Sequence, residues 1–175
     1  MEKSKIELRK WAKDTRKELD IESLSRLFIE EIKKNNIFKN SQNIMLFYPL
    51  KYEINLLDLI SNEKKFFLPR TNRLNIDVCP YRKGDKLDIG GFGVKEPLTH
   101  PVSAKILDLI IVPALVVDKQ NYRLGYGKGY YDRLLIHTDA KTLVCIAKEL
   151  VIENLPIEKH DKKIDIVIVQ WFIKE

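Results

Sequence analysis

The apolar residues of this chain change their period once. Near the start, Leu8, Ala12, Thr15 and Leu19 recur at steps of three and four, which places one apolar stripe on a helix with charges elsewhere. A second helix is predicted next, with Asp20 or Ser23 as its cap and Leu24, Leu27, Phe28 and Ile32 as its apolar face, weakening at Asn35-Asn36. From Asn43 onward the pattern becomes short apolar runs between turn residues: NIMLFYP, KKFFLPR, NIDVCPY, DLIIVPALVV, KTLVCIA and DIVIVQW. These read as strands. Several are continuously apolar, which suits strands covered on both faces. INLLDLISN after Glu53 and GYYDRLLIH from Gly129 have helical spacing and are predicted to cross over between them. The stretch from Tyr81 to His100 is rich in glycine and charge and is predicted as a surface loop. No internal repeat or low-complexity tract interrupts the pattern. The expected fold is α/β and three-layer, a largely parallel sheet flanked by helices in an open, doubly wound arrangement, with residues 1–175 as one domain.

Composition supports this. The chain has 175 residues, of which 45% are hydrophobic, enough for one substantial core. Its 31 Lys+Arg against 25 Asp+Glu give a net charge of +6, which would attract nucleic acid, an acidic membrane or small anions without choosing among them. The longest apolar run, Leu109 to Val117, is broken by Pro113 and is shorter than the roughly 20 residues that cross a bilayer. The start, MEKSKIELRKW, has no apolar segment before a cleavage site, so a soluble, cytoplasmic protein is expected. Cys79 and Cys145 lie in strand-like runs and read as small core thiols, with no disulfide framework or zinc spacing.

The candidate chemistry lies in RLGYGKGYYDRLL, from Arg123 to Leu135, where three glycines stand at every second position. A predicted strand precedes it and a helix follows, the place where α/β sheets gather ligands. It fits neither a P-loop, since Gly129 follows Lys128, nor the dinucleotide fingerprint. A phosphate-binding loop and a structural glycine turn both remain open. The interleaved residues tilt the reading: Arg123 and Lys128 can meet phosphate, Asp132 can hold magnesium, and Tyr130 or Tyr131 can stack on a flat ring.

Following a VPALVVD strand, this stretch closely resembles the nucleotide loop of the 5-formyltetrahydrofolate cyclo-ligases, also called 5,10-methenyltetrahydrofolate synthetases. KIELR, FYPLKYEI, FLPR, FGVKEP and EKHDKKID resemble the same family, in order, along nearly the whole chain. The resemblance implies magnesium-dependent cyclisation of 5-formyltetrahydrofolate by ATP, giving 5,10-methenyltetrahydrofolate, ADP and phosphate. It implies ATP contacts at Lys5, Ile6, Glu7, Leu8 and Arg9, and at Arg123, Leu124, Gly125, Tyr126, Gly127, Lys128, Gly129, Tyr130 and Tyr131. Lys5, Arg9, Arg123 and Lys128 would stabilise the phosphate charge. By spacing alone, Lys5, Arg9 and Arg16 share a helical face whose favoured reading is a solvated basic surface.

For the folate, the resemblance implies Arg9, Tyr48, Glu53 and Tyr130. An aromatic ring and a carboxylate acceptor suit a flat pterin with N–H donors. A glutamate starting a helix before INLLDLI explains Glu53 as well. Asp132 and Asp161 are the implied magnesium ligands, although Asp161 by itself reads as an ordinary loop acid. His100, His137 and His160 form no metal spacing and receive no role. Tyr126 stands where many relatives carry arginine or another residue, and PLKYEINLLD lacks a threonine often found two positions after the glutamate. Two other readings are a nucleotide-responsive binding protein without turnover and an RNA-binding module, the latter opposed by charges spread along the chain. The expected partners are small-molecule substrates, with no nucleic acid, no membrane and a monomeric state.

Overall fold

The computed structural model describes residues 3–159 and 161–171, so His160 lies outside the described residues. Helix α1 (Lys5–Lys17) starts in a capping box: the Ser4 hydroxyl accepts from Glu7 N–H, and the Glu7 carboxylate accepts from Ser4 N–H. Its buried stripe is Leu8, Ala12 and Arg16. Helix α2 (Ile21–Lys34) is capped by Asp20, which accepts from Ser23 N–H, and buries Leu24, Phe28 and Ile32. Leu27, expected on that face, is 41% exposed. Steps of four define a narrow stripe, and Leu27 lies about 100° around the axis from Phe28. The five-residue α3 (Asn36–Asn40) buries Phe38.

Strands β1 (Asn43–Met45), β2 (Lys65–Asn72) and β3 (Asn75–Tyr81) come next, then β4 (Leu87–Ile89), β5 (Lys95–Pro97), β6 (Leu109–Ile111), β7 (Val116–Asp118) and β8 (Arg123–Leu124). Helix α4 (Tyr130–Leu134) precedes β9 (Lys141–Ala147), β10 (Val151–Ile152) and β11 (Ile166–Gln170). The main sheet has the order β11-β9-β6-β1-β2-β3. All its neighbours are parallel except β2 and β3, which form an antiparallel hairpin. Ile44 registers with Phe66 on one side and Leu109 on the other, and Ile44, Leu109, Ile110 and Ile111 are wholly buried. Burial on both faces is why these runs are continuously apolar, and each such side chain contributes about 1.5–3 kcal/mol. Helix α2 packs against β11, α1 against β7 and α4 against β3, giving the expected mostly parallel sheet flanked by helices.

From β1 the chain builds outward through β2 and β3, then returns to place β6, β9 and β11 on the other side. The winding therefore reverses between β1 and β6. Loops leaving the carboxyl ends of these two strands diverge and leave a crevice.

Four expectations need correction. INLLDLISN forms only a single 3₁₀ turn over Leu57–Leu59. Ile54, Leu56, Leu59 and Ile60 are all buried, a set too broad for one helical face, and the Asn55 side chain takes Leu57 N–H for itself. DLIIVPALVV splits at Pro113, which has no N–H for a ladder, into β6 in the main sheet and β7 in a small sheet with β10 and β8. The segment from Tyr81 to His100 contains the β4–β5 hairpin. Its Glu96 is buried and accepts from Thr71 N–H at 2.8 Å and Thr71 Oγ1 at 2.5 Å. Gly90 permits this, since a Cβ there would lie 2.0 Å from Glu96 Cδ. Finally, GYYDRLLIH yields only the five residues of α4 before the chain turns. Cys79 is buried and Cys145 half-buried, both free, and no helix among the described residues is long and apolar enough to cross a membrane.

Candidate active site

The crevice at the winding reversal is a cleft of about 520 Å³. The segment after β1 supplies Phe47, Tyr48, Leu50 and Glu53, and that after β6 supplies Pro113. Helix α1 contributes Lys5, Arg9 and Lys13 from one turn to the next. The glycine loop, Pro69 and Thr71 of β2, and Phe92 of the β4–β5 hairpin complete the lining.

The glycine loop is both the turn and the lining that its sequence left open. Gly129 caps α4 at φ +69°, where a side chain is strained, and a Cβ there would come 2.7 Å from Arg133 Nη1. Arg133 in turn fastens the loop to the β2–β3 turn, donating through Nε to Leu74 O at 2.6 Å and through Nη2 to Lys128 O at 2.8 Å. With only five residues, α4 is too short to supply a substantial dipole. The attraction for anions therefore falls to side-chain cations.

These cations are held differently. Arg9 Nε donates to Gly125 O at 2.9 Å, fastening α1 to the loop. The Arg123 side chain is 7% exposed and bonds Asp132 Oδ1 at 3.0 Å and Pro113 O at 3.4 Å. Burial pulls its guanidinium below the usual arginine range, against the opposing pull of Asp132, and it lies 5.7 Å from the Tyr131 ring centre. Lys5 Nζ pairs with Glu158 at 2.9 Å and Asp161 at 3.1 Å. Burial lowers the Lys5 pKa, but hydrogen bonds to Glu158 and Asp161 and their charge outweigh it, leaving a net rise. Lys128 Nζ lies 5.5 Å from the Phe92 ring centre.

Tyr48 lines the cleft with Lys95 Nζ 5.8 Å from its ring, and the Tyr130 hydroxyl donates to Arg73 O at 3.2 Å. Phe92 meets the Tyr130 ring edge-on at 6.3 Å. Glu53 is 6% exposed and accepts from Leu50 N–H at 2.7 Å and the Tyr126 hydroxyl at 2.7 Å.

Of the residues singled out in the sequence, Lys5, Arg9, Tyr48, Glu53, the whole loop from Arg123 to Tyr131, Asp132 and Asp161 line this one cleft. Ile6, Glu7 and Leu8 do not: Ile6 is 78% exposed, Glu7 closes the helix cap and Leu8 lies in the core. His100 and His137 are exposed and outside it. The sequence reading assigned nothing to Phe92, Thr71, Glu96, Lys13 or Glu158. Glycines flanking Phe92 signalled a turn there, but nothing local signalled which site the turn would overhang.

Among the described residues no group of three or more His, Cys, Asp or Glu is placed to hold a metal ion. Asp132 and Asp161 nonetheless line the same cleft. Magnesium is commonly held by one or two carboxylates, waters and phosphate oxygens, so this oxygen donor set fits it in company with a nucleotide.

The family model of the 5-formyltetrahydrofolate cyclo-ligase family matches residues 2–170. The chain is 29% identical over 169 residues to the 5-formyltetrahydrofolate cyclo-ligase of Mus musculus, covering 83% of this chain and 82% of that one. Over 86 residues it is 37% identical to the cyclo-ligase of Mycolicibacterium smegmatis, covering 46% and 44%. An NMR structure of Aquifex aeolicus 5,10-methenyltetrahydrofolate synthetase is similar with a TM-score of 0.84 and 33% identity, over 94% of this chain and 89% of that one. The Mycoplasma pneumoniae 5,10-methenyltetrahydrofolate synthetase shares the fold, with a TM-score of 0.70 at 20% identity over 95% and 98%.

Proposed function

This chain belongs to the 5-formyltetrahydrofolate cyclo-ligase family, and from that premise we propose that it converts 5-formyltetrahydrofolate and ATP to 5,10-methenyltetrahydrofolate, ADP and phosphate. The observation that carries the reading is one cleft with two chemistries. Lys5, Arg9, Arg123 and Lys128 line it with the glycine loop, and Tyr48 and Glu53 stand in the same cavity.

The formyl group on N5 is an amide, whose oxygen leaves poorly. In the proposed sequence that oxygen attacks the γ-phosphorus and ADP departs, giving a phosphorylated, iminium-like formyl carbon. The N10 lone pair then bonds to that carbon, the C–O bond breaks with release of phosphate, and the N10 proton passes to solvent. Both steps depend on alignment and on neutralising phosphate charge. Arg123, buried beside Asp132, and Arg9, braced on Gly125 O, present fixed cations, and Lys128, over the Phe92 ring, adds a third. Asp132 and Asp161 would hold magnesium, which supplies charge neutralisation at the phosphate oxygens. Glu53 would accept from the N–H edge of the pterin, with Tyr48 and Tyr130 against its faces. No protein nucleophile is needed. Small-molecule substrates, a monomeric state and a cytoplasmic setting complete the proposal.

The test is direct: purified protein with 5-formyltetrahydrofolate, ATP and magnesium should show rising methenyl absorbance with equimolar ADP. Folded protein that produces neither would overturn the assignment.

A further inference from the structure

Arg16 leaves the basic face that its spacing with Lys5 and Arg9 suggests. It is 8% exposed, with Nη1 donating to the Tyr126 hydroxyl at 2.9 Å and Nη2 donating to Ala114 O. The Tyr126 hydroxyl in turn donates a hydrogen bond to Glu53 Oε1 at 2.7 Å, and Arg16 Nη1 stands 3.8 Å from that same oxygen. Glu53 Oε2 accepts from Leu50 N–H. These hydrogen bonds take two of about four acceptor sites on the carboxylate, leaving others for a ligand N–H in the cleft that Glu53 lines.

The cluster joins α1, the segments after β1 and β6, and the glycine loop. Tyr126 sits between Gly125 and Gly127, so its backbone belongs to the proposed phosphate wall while its side chain reaches the proposed folate wall. Burial, and then the charge of Glu53, raise the Tyr126 pKa, so the phenol keeps its proton and remains a donor. Leu50 N–H holds Oε2 from within the segment after β1, so Tyr126 is the contact that ties Oε1 to the glycine loop.

We propose that Arg16 and Tyr126 are positioning residues that couple the two ligand sites: seating a nucleotide on the glycine loop fixes the Tyr126 hydroxyl, and with it the Glu53 carboxylate that receives the pterin. This rests on the function proposed above. Coupling of this kind is reciprocal, so each ligand tightens the other by the same factor.

Calorimetric titration of 5-formyltetrahydrofolate with and without a non-hydrolysable ATP analogue tests it, in wild type, Tyr126→Phe, Glu53→Gln and the double variant. Wild type should bind folate about tenfold more tightly with the analogue present. In Tyr126→Phe the factor should fall below about twofold, while the analogue still binds and melting remains cooperative. Adding Glu53→Gln to Tyr126→Phe should reduce the coupling no further, because both act through one hydrogen bond. Full coupling in Tyr126→Phe overturns the inference. So does loss of analogue binding with a lowered Tm, the signature of a merely structural tyrosine. Wild type that turns over without coupling overturns this inference alone, whereas wild type that neither binds nor turns over removes the function beneath it.

Discussion

Arg123 Nη2 lies 3.0 Å from Asp132 Oδ1, so the acid proposed to hold magnesium is in this structure the counter-ion of a buried cation nine positions away. Magnesium held by Asp132 would compete with Arg123 for that carboxylate and would supply charge neutralisation beside the guanidinium.

Asp132→Asn should therefore do two things. Removing one member of a fully buried pair costs about 3–5 kcal/mol, and the 35% exposure of the Asp132 side chain reduces this to roughly 1–2 kcal/mol here. A lowered Tm should accompany weakened magnesium dependence of turnover. Adding Arg123→Gln should recover part of the Tm but none of the turnover. An unchanged magnesium titration would remove Asp132 from the metal site.

Gly129→Ala tests the loop backbone. At φ +69° a Cβ costs about 1–2 kcal/mol, and here it also meets Arg133 Nη1 at 2.7 Å. The displaced Arg133 would release Lys128 O and Leu74 O. Turnover should fall at least tenfold, more than the loss of stability explains, as read from kcat/KM beside a melting curve. Wild-type kcat/KM in this variant would show that the loop tolerates other backbone conformations.

Phe92 is 64% exposed at the tip between β4 and β5, yet faces Tyr130 and Lys128 across the cleft mouth. Phe92→Ala should raise KM for the folate about two- to tenfold while leaving Tm nearly unchanged, since little core is lost. A change confined to Tm would place Phe92 outside substrate binding.

Asp20 carries a pH signature. Its backbone bond from Ser23, and then the Ser23 hydroxyl, hold its carboxyl below the usual 3.8. A depressed folded pKa stabilises above the unfolded value, and the contribution is lost as pH falls through the folded one. Asp20→Ala should lower Tm by roughly 2–4 °C at pH 7, and the gap to wild type should narrow below about pH 4. A gap that stays constant down to pH 2 would show that the cap does not depend on charge.

How much of this was legible in the sequence depended on the range of the interaction. The starts of α1 and α2, the apolar strands and the glycine loop are set by groups within a few positions of one another. Asp20 and Ser23 and the alternation of glycines declare themselves locally, and the Ser4–Glu7 capping box found in the structure closes within three positions. INLLDLISN misled because apolar spacing reports burial, not the element that achieves it: its leucines and isoleucines are buried along irregular chain.

The family resemblance named most residues that line the cleft, but sequence could not say which of them touch. Arg16 meets Tyr126 across 110 positions, Tyr126 meets Glu53 across 73, and Lys5 meets Asp161 across 156. Period and motif describe one segment at a time, so they supplied the strands, the glycine turn and the residue types of the site. Only tertiary packing, with α1 against β7 and the segments after β1 and β6 brought to the glycine loop, decided that Arg16 would be buried and that Glu53 would be held by a tyrosine of that loop. Those choices rest on desolvation and long-range contact, which exist only once the chain has closed on itself.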